Sequence, residues 1–461
     1  MKFPLQFIIL AVWGVKMADL GVKRVIKIAF ISRIFSLLLQ NVSNNLLVDY
    51  DTSVEHYPCH PNTTNRPSHK QNTIIDQLIS SSLDGLSKWD AVYFLDIARN
   101  GYQYEQNMAF FPLFPLSVHT FGLILTPLKL LLNLSDRSRL LLSAMFVNTV
   151  AFTIAAVGLY KLTQTIFHSS KLAQRVVVLF CFNPASVFFS AAYSESIFAM
   201  TQFWGMLFLE RDHHLTSALI FALGTTARSN GLISCGFIGY KCLQEITPLY
   251  RLFMLKGERI RPKTVVLKSL KVTSFLFIII LPFLLFQYYG YHLFCKNPQF
   301  SPWCDHYLPI PYSYIQKHYW NVGFLKYYEL KQVPNFVLAS PVVVLSVAGV
   351  YEYLARQTKK DILSLGLWVV KKTNSLNIFV YVVHLGFLLA FGIASIHVQV
   401  VTRFILSSSP MVYWIAVSWV TPPSRDDSKI HSNLKANFVY IYFLLFYCLG
   451  YLLHCNFYPW T

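Results

Sequence analysis

Long apolar runs separated by short polar segments make up most of this 461-residue chain. A helix needs about 20 mostly apolar residues to cross the hydrocarbon core of a bilayer. Eleven runs have a suitable length and composition, so the pattern predicts an all-α polytopic membrane protein with about eleven transmembrane helices. The predicted spans are 22–42, 113–132, 139–161, 173–191, 193–210, 215–236, 272–292, 335–354, 377–396, 398–418 and 438–455.

The composition supports a membrane protein and excludes a soluble globular enzyme. Hydrophobic residues make up 54% of the chain and charged residues 13%, whereas roughly 25% charged residues is usual in soluble domains. The net charge of +18 does not indicate nucleic-acid binding, because the basic residues lie in short loops between apolar runs. Since no linker divides the chain, we expect one membrane domain, residues 22–461, after an N-terminal extension, residues 1–21.

The distribution of charge predicts the orientation in the membrane. Residues 241–271 carry eight Lys or Arg against two acids, and residues 356–372 carry five against one, which is typical of cytoplasmic loops. Residues 43–110 instead contain eight acids and four basic residues. We therefore expect a cytoplasmic N-terminus, a first luminal loop at 43–112, a second luminal loop at 293–333 and a luminal C-terminus.

Sequons and cysteines add three expectations. Asn62 begins an Asn-Thr-Thr sequon in the first luminal loop and is predicted to be glycosylated, whereas the sequon at Asn133 would face the cytoplasm. Cys295 and Cys304 flank a short polar segment outside the cytosol and form either a disulfide or two free thiols. The eight cysteines show no zinc-like spacing, so we expect no metal site.

The first luminal loop contains the clearest candidate for catalysis, the pair Trp89 and Asp90. Apolar and aromatic positions from Trp89 to Ile97 recur at helical spacing, which predicts an amphipathic helix on the membrane surface that ends at Gly101. A carboxyl group beside an aromatic ring in a partly dry interface can have a raised pKa and accept a proton from a hydroxyl group. The alternative is that Asp90 only caps the helix it begins.

Several aromatic-rich strings distinguish the chain from an arbitrary membrane protein. They are residues 85–116, Asn183–Ala185, Ala192–Glu195, Arg228–Gly231, Leu285–Tyr289, Tyr312–Gln316, Tyr319–Leu325, Tyr327–Phe336, His397–Val400 and His454–Thr461. In this order they resemble the PIG-V family of mannosyltransferases, which act in the assembly of glycosylphosphatidylinositol (GPI) anchors. The resemblance runs from about residue 22 to the end of the chain.

This resemblance implies a glycosyltransferase of the GT-C fold in the endoplasmic reticulum membrane. Members of the family take mannose from dolichyl-phosphate mannose and attach it through an α-1,6 linkage to the first mannose of mono-mannosylated glucosaminyl-phosphatidylinositol, without a metal or another cofactor. The family's acidic residue in the first luminal loop falls on Asp90, and Glu105 in a Gly-Tyr-x-x-Glu pattern is the second candidate. Both substrates are lipid-linked, and the need for an accessory subunit stays open.

The implied reaction sets requirements for other residues. A β-linked donor that gives an α product requires inversion, hence one displacement and one general base. The departing lipid phosphate needs positive charge, for which Lys326 and Lys331 are candidates and Arg403 is a more remote one. The alternative for the lysines is binding to lipid headgroups.

Further candidate substrate contacts lie at the luminal ends of the spans. Gln287 and Asn335 would either bind a sugar or satisfy a helix end. Trp89, Tyr328 and Glu329 are also candidate substrate-binding residues. The aromatic residues between 312 and 320 would either stack on sugars or lie at the level of the headgroups.

Two charged residues within the predicted membrane region form a separate problem. A charge in the hydrocarbon region is costly unless it is paired. We expect Glu195 to pair with Arg228 or with backbone donors in a structural role, with substrate contact as the alternative. The span count places Glu195 on the cytoplasmic side, between the fourth and fifth spans.

Other classes of protein fit parts of the pattern. A polytopic transporter would also have many spans and buried charges, although we find no internal repeat of the kind that transporters usually contain. A non-catalytic subunit of GPI assembly is a second alternative. The Trp89–Asp90 pair in a long acidic loop favours an enzyme over both.

Overall fold

A computed structural model describes residues 20–50, 73–256, 262–296, 301–367, 378–421 and 429–460. Within these residues the secondary structure is helical, without β-strands. The Asn62 sequon lies outside the described residues. The α-helices are α1 Leu20–Leu46, α2 Ile74–Leu83, α3 Ala91–Asn100, α4 Leu113–Ile124, α5 Thr126–Leu132, α6 Asp136–Phe167, α7 Ser170–Cys181, α8 Glu195–Glu210, α9 His214–Ala227, α10 Cys235–Lys256, α11 Pro262–Phe294, α12 Pro311–Trp320, α13 Val333–Ala355, α14 Lys359–Leu363, α15 Phe379–Ser395, α16 Val401–Ser408, α17 Met411–Val420 and α18 Lys429–His454.

Several of these helices can cross a membrane. Five stretches in the described part of the chain are long and apolar enough: Gly21–Leu46, Asp136–Phe167, Val265–Phe294, Leu330–Ala355 and Asn433–His454. Two bent pairs raise the number to seven if each pair is one span, and α9 and α15 are shorter apolar helices. The protein is therefore an all-α polytopic membrane protein, whereas the predicted count of eleven spans is not confirmed.

Helix α6 lies at the centre of the helical bundle. It packs against α1, α4, α7 and α8. Its first turn is capped by Ser135, whose hydroxyl accepts a hydrogen bond from the Ser138 N–H at 3.2 Å. A Cβ on Gly158 would lie 2.7 Å from Trp204 Cδ1, so only glycine lets α6 and α8 approach this closely.

The segment between α7 and α8 is buried without being helical. Every residue from 183 to 194 is buried. Irregular backbone is tolerated at membrane depth only where protein groups satisfy it. Here the buried Arg33 donates to two carbonyl groups and two serine hydroxyls, and Asn148 donates to two carbonyl groups of the segment. The prediction of one continuous span at 173–191 is therefore wrong, because its helix ends at Cys181.

Helices α4 and α5 form a bent pair whose two ends return to the same part of the molecule. The helices are bent by 55° relative to each other. Before the pair, the ring of Phe110 packs 5.0 Å from that of Phe94. After it, Arg137 Nη2 donates to Ser87 Oγ at 3.2 Å. The prediction that residues 113–132 form one continuous span is therefore not confirmed, because the helix is broken between Ile124 and Thr126.

Ser135, in the sequon expected on the opposite side from the first luminal loop, donates its N–H to Asp76 of that loop at 2.7 Å. The residues just after the bent pair therefore lie against the loop that was expected to be opposite them. The prediction of one continuous span at 215–236 is also wrong, because its helix ends at Ala227 and a separate helix, α10, begins at Cys235.

The amphipathic helix predicted after Trp89 is confirmed as α3. Its Phe94 and Ile97 side chains are buried. The helix ends at Gly101, which has a φ of +75° and donates its N–H to the Ile97 carbonyl at 2.9 Å. The second luminal loop contains α12 and a disulfide between Cys295 and Cys304, which is one of the two alternatives left open.

Candidate active site

A cavity of about 650 Å³ lies where the Asp90 loop, the end of α9 and the start of α16 come together. Charged, polar and apolar side chains share its wall. The polar lining residues include Asp90, Tyr193, Ser194, Arg228, Ser229, Asn230, Tyr312, Gln316, His397, Gln399 and Arg403. The apolar lining residues include Phe94, Phe110, Phe111, Leu232, Ile233, Phe283, Trp320, Phe387 and Phe391.

Asp90 occupies the cap position of α3 but does not act as a cap. Its carboxylate makes no hydrogen bond to the first turn of the helix. Oδ2 instead accepts a hydrogen bond from Arg403 Nη2 at 2.8 Å, and about a third of the side chain (32%) is exposed. The Asp90 N–H donates to the hydroxyl of Tyr193 at 3.1 Å. The side chain therefore faces the cavity, and the capping interpretation is wrong.

A strained turn gives Asp90 this direction. Trp89 has a φ of +60°, a conformation that costs a bulky residue about 1–3 kcal/mol. The C-terminal segment supports the turn, because the ring of Phe457 lies 5.9 Å from that of Trp89 and 4.8 Å from Lys88 Nζ. Lys88 is itself buried and paired with Asp49 at 2.6 Å. Contacts from distant parts of the chain thus hold the loop in place.

Four charged side chains form a continuous network beside the cavity. Arg403 donates to Asp90 and approaches Glu195 Oε1 with its Nη1 at 3.7 Å. The same oxygen of Glu195 accepts from Arg228 Nη1 at 2.5 Å. Two carboxylates and two guanidinium groups give formal neutrality. The network holds a carboxylate and two cations at one wall of the cavity.

The position of Glu195 corrects one prediction and confirms another. Its pairing with Arg228 is confirmed. Its predicted place on the cytoplasmic side, opposite the Asp90 loop, is wrong, since Arg403 connects the two acids. The physical reason is that the predicted spans 113–132 and 173–191 are a bent pair and a shorter helix, so counting them as crossings does not give the side of α8. Arg228 lines the cavity, whereas Glu195 lies behind the wall.

The lysines and neighbours predicted as substrate contacts lie elsewhere. Lys326 is exposed, and Lys331 pairs with Glu329 at 2.5 Å on the surface. Tyr328 donates its hydroxyl to the Ile393 carbonyl at 3.3 Å. None of these four side chains lines the cavity among the described residues. Arg403, which the sequence analysis treated as a more remote candidate than the lysines, does line the cavity.

Gln287 and Asn335 satisfy neighbouring backbone and side-chain groups. The Gln287 side chain accepts from the Tyr312 N–H at 3.1 Å, at the start of α12. Asn335 donates to the Tyr327 hydroxyl and to Gln332 Oε1, both at 2.8 Å. Neither belongs to the cavity wall. Of their two alternatives, the structural one fits these contacts.

Glu105 joins the first luminal loop to the second. Its oxygens accept hydrogen bonds from Tyr319 Oη at 2.6 Å and from Trp303 Nε1 at 3.1 Å. Burial alone would raise the pKa of Glu105, but hydrogen bonds from Ser301, Tyr319 and Trp303 hold it below the ordinary value. Glu105 does not line the cavity. Its contacts are those of a residue that joins two loops.

We expect Glu105→Gln to lower the melting temperature at pH 7 by about 2 °C, the order of shift from losing ~1 kcal/mol of hydrogen bonding. Folding lowers the pKa of Glu105, so its contribution is complete above the ordinary value of 4.5 and is lost as pH falls through the folded value. Thermal unfolding of the purified protein at pH 7 and at lower pH measures the difference in melting temperature between the variant and the wild type. This difference should become smaller as the pH falls.

The matched control for this experiment is Glu329→Gln. Glu329 is an exposed acid in a surface pair, which contributes little to stability. We expect its melting temperature to match the wild type at both pH values. A Glu105→Gln defect of the same size at all pH values would contradict an ionised Glu105 in the folded state.

Sequence reasoning missed several residues of the cavity wall. Tyr193, Asn230, His397 and Gln399 all lie within the aromatic-rich strings, but their roles were not predicted. Their place in the aromatic-rich strings was the feature of the sequence that could have identified these residues. Arg403 lies in none of them, and it is 313 residues from Asp90 along the chain.

The donor groups of this site do not resemble a metal centre. Within the described residues, no group of three or more His, Cys, Asp or Glu side chains could hold a metal ion. The two acids of the network are already paired with arginines. The absence of a metal cofactor stays an expectation.

Comparison with known proteins relates this geometry to a family. A family model described as mannosyltransferase (PIG-V) matches residues 22–461. The human GPI alpha-1,6-mannosyltransferase 2 is 37% identical, over 95% of this chain and 98% of the relative. GPI mannosyltransferase 2 of Drosophila melanogaster is 33% identical, over 95% of this chain and 100% of the relative. The Schizosaccharomyces pombe GPI mannosyltransferase 2 is 30% identical, over 71% of this chain and 64% of the relative.

The match extends through every part of the chain that builds the cavity, from the Asp90 loop to the C-terminal segment behind Trp89. It favours an enzyme over the transporter alternative. The chain belongs to the PIG-V family of mannosyltransferases, which are glycosyltransferases.

Proposed function

We propose that this protein transfers mannose from dolichyl-phosphate mannose through an α-1,6 linkage to the first mannose of the GPI precursor. The names of its relatives support this substrate pair. The observation that carries the chemistry is the Asp90–Arg403 pair, 2.8 Å apart at the wall of one cavity. It combines a proton acceptor with a cation, the two groups that such a transfer requires.

In this proposal Asp90 is the general base. Inversion at the anomeric carbon needs one displacement, in which the acceptor hydroxyl attacks while its proton moves to a carboxylate. Asp90 is part-exposed to the cavity, and its Oδ1 makes no hydrogen bond to another described residue. That oxygen is available to the acceptor hydroxyl while Oδ2 stays bound to Arg403.

Arg403 and Arg228 stabilise the departing dolichyl phosphate. The bond between the anomeric carbon and the phosphate oxygen breaks, and the phosphate gains negative charge in the transition state. Guanidinium groups fixed in a cavity stabilise such charge without reorganisation and suit phosphate geometry. Because these groups supply the positive charge, the proposed reaction needs no metal ion.

The apolar part of the cavity provides access for a lipid. Phe387 and Phe391 on α15 line the cavity, and their side chains are 50% and 41% exposed. Phe283 of α11 also lines the cavity. We propose that a polyprenyl chain lies between α11 and α15. In the donor, the phosphate is bonded directly to the polyprenyl chain. This chain therefore needs a route from the arginines into the bilayer.

Polar and aromatic groups of the same cavity suit the acceptor sugars. Trp320 offers a ring face, and Gln399 and His397 offer hydrogen-bonding groups. Burial lowers the pKa of His397, so its imidazole is neutral near pH 7 and can bind a sugar hydroxyl without charge. We propose that the first mannose and glucosamine of the acceptor lie against these residues.

We place the cavity on the luminal side of the endoplasmic reticulum membrane. The acidic first loop and the basic segments 241–271 and 356–372 support a cytoplasmic N-terminus. The C-terminal residues share a side with the active loop, since His454 contacts the Tyr193 hydroxyl at 3.3 Å. The proposed C-terminus is therefore luminal as well.

Complementation of cells that lack the second GPI mannosyltransferase tests this function. We expect this chain to restore GPI-anchored proteins at the cell surface and to remove the mono-mannosylated precursor that such cells accumulate. Thin-layer separation of labelled GPI lipids measures the precursor. Its persistence in cells where the chain is present at the endoplasmic reticulum would exclude the proposed activity and revive the transporter or subunit alternatives.

A further inference from the structure

A wholly buried carboxylate lies behind the two arginines of the cavity. Glu195 Oε1 is 2.5 Å from Arg228 Nη1 and 3.7 Å from Arg403 Nη1. Its side chain is 0% exposed, and it does not line the cavity. The two arginines come from α16 and from the segment after α9, so this carboxylate is what connects them.

The remaining contacts of Glu195 do not suggest a role in stability alone. Its Oε2 is buried and has no hydrogen-bond partner among the described residues. Such an atom costs stability, and buried ion pairs often stabilise a fold less than apolar residues of the same size. Glu195 is the first residue of the 16-residue helix α8, where the helix dipole favours a negative charge. The fold therefore keeps a negative charge at a position where its burial costs free energy of folding.

Arg403 is held from several directions at once. Its guanidinium group lies 4.9 Å from the ring centroid of Phe188 and 5.3 Å from that of Tyr193. Asp90 contacts it from the cavity, and Glu195 contacts it from behind. Without Glu195, Asp90 would be the only anion of the network near Arg403. The guanidinium group of Arg403 would then be attracted towards Asp90 alone.

We propose that Glu195 is a positioning residue that sets the placement of Arg228 and Arg403 and limits the charge that Asp90 experiences. This inference rests on the proposed function, because it assigns the arginines to the phosphate and Asp90 to the proton. Glu195 itself touches neither substrate. Its charge brings the network of two arginines and two acids from a formal +1 to neutrality.

The variant Glu195→Gln tests the charge and the placement together. We expect kcat to fall ~10-fold or more, because misplaced groups lose catalytic alignment. The KM for dolichyl-phosphate mannose should stay equal or fall, since the site becomes more positive. Initial rates with labelled donor in microsomes measure both.

The variant Glu195→Asp separates the two effects. It keeps the charge on a side chain shorter by one methylene group. We therefore expect a reduced kcat with a KM for dolichyl-phosphate mannose equal to that of the wild type. The matched control is Glu352→Gln. Glu352 pairs with Lys435, at a distance of 2.6 Å between the two side chains, and this pair does not belong to the cavity. The variant should therefore retain wild-type kinetics.

Each outcome bears on the proposal. A wild-type kcat in Glu195→Gln would overturn it. If that variant does not accumulate, a wild-type kcat in Glu195→Asp would overturn it instead. If neither variant accumulates, Glu195 is required only for folding and the proposal fails. Normal rates in these variants alongside an inactive Asp90→Asn would overturn this inference and leave the proposed function intact.

Discussion

The variant Asp90→Asn should lose nearly all mannose transfer, by at least ~100-fold, which is the lower end of what a general base contributes. The amide can still accept the hydrogen bond that Arg403 donates, so the loop should keep its structure. What it cannot do is accept the proton of the acceptor hydroxyl. The loss should therefore fall on kcat rather than on protein abundance.

Transfer of labelled mannose to the GPI precursor in microsomes measures this effect, with protein amount determined by immunoblot. Asp96→Asn is the matched control. Asp96 lies on the same helix, accepts from Asn100 at 2.8 Å and does not line the cavity. Activity above about a tenth of the wild type in Asp90→Asn would exclude Asp90 as the base.

The variant Arg403→Lys should have the second largest effect, a fall in kcat of ~100-fold, as when one preorganised oxyanion donor is lost. Lysine keeps the charge but has a single nitrogen in place of the guanidinium fork. It cannot contact Asp90 and Glu195 from two nitrogen atoms while also facing a phosphate. The placement of the base and the stabilisation of the leaving group should therefore fail together.

A double-mutant cycle in the same microsomal assay measures this coupling. The combined variant Asp90→Asn with Arg403→Lys should be slower than Asp90→Asn alone by less than ~100-fold, because only the leaving-group part of the Arg403 effect remains once the base is absent. Arg175→Lys is the control, since Arg175 is exposed and donates to Thr421 at 3.2 Å far from the cavity. Fully multiplicative effects would show that Arg403 acts independently of Asp90.

Local pattern was sufficient where neighbouring residues decide the structure. The helix after Trp89 and its end at Gly101 depend on apolar spacing and on glycine's access to positive φ. The pairing of Glu195 with Arg228 was predictable too, because an unpaired buried charge is too costly to persist.

The side of the membrane on which each segment lies could not be predicted in the same way. Hydropathy indicates that residues 113–132 prefer an apolar environment, but not whether they pass through it. The break between Ile124 and Thr126 makes them a bent pair, which hydropathy does not distinguish from a straight span. Because each assignment of sidedness depends on the one before it, this error placed Glu195 on the wrong side.

The sequence by itself determined the class of the protein and its family, and it singled out Asp90 as the candidate acid, since these follow from composition and from strings of neighbouring residues. Only the tertiary structure decided which cations face that acid. Arg403 and Asp90 are 313 residues apart, and no local pattern connects them. Their contact exists because α3, the end of α9 and α16 converge on one cavity, and such convergence depends on packing between distant helices.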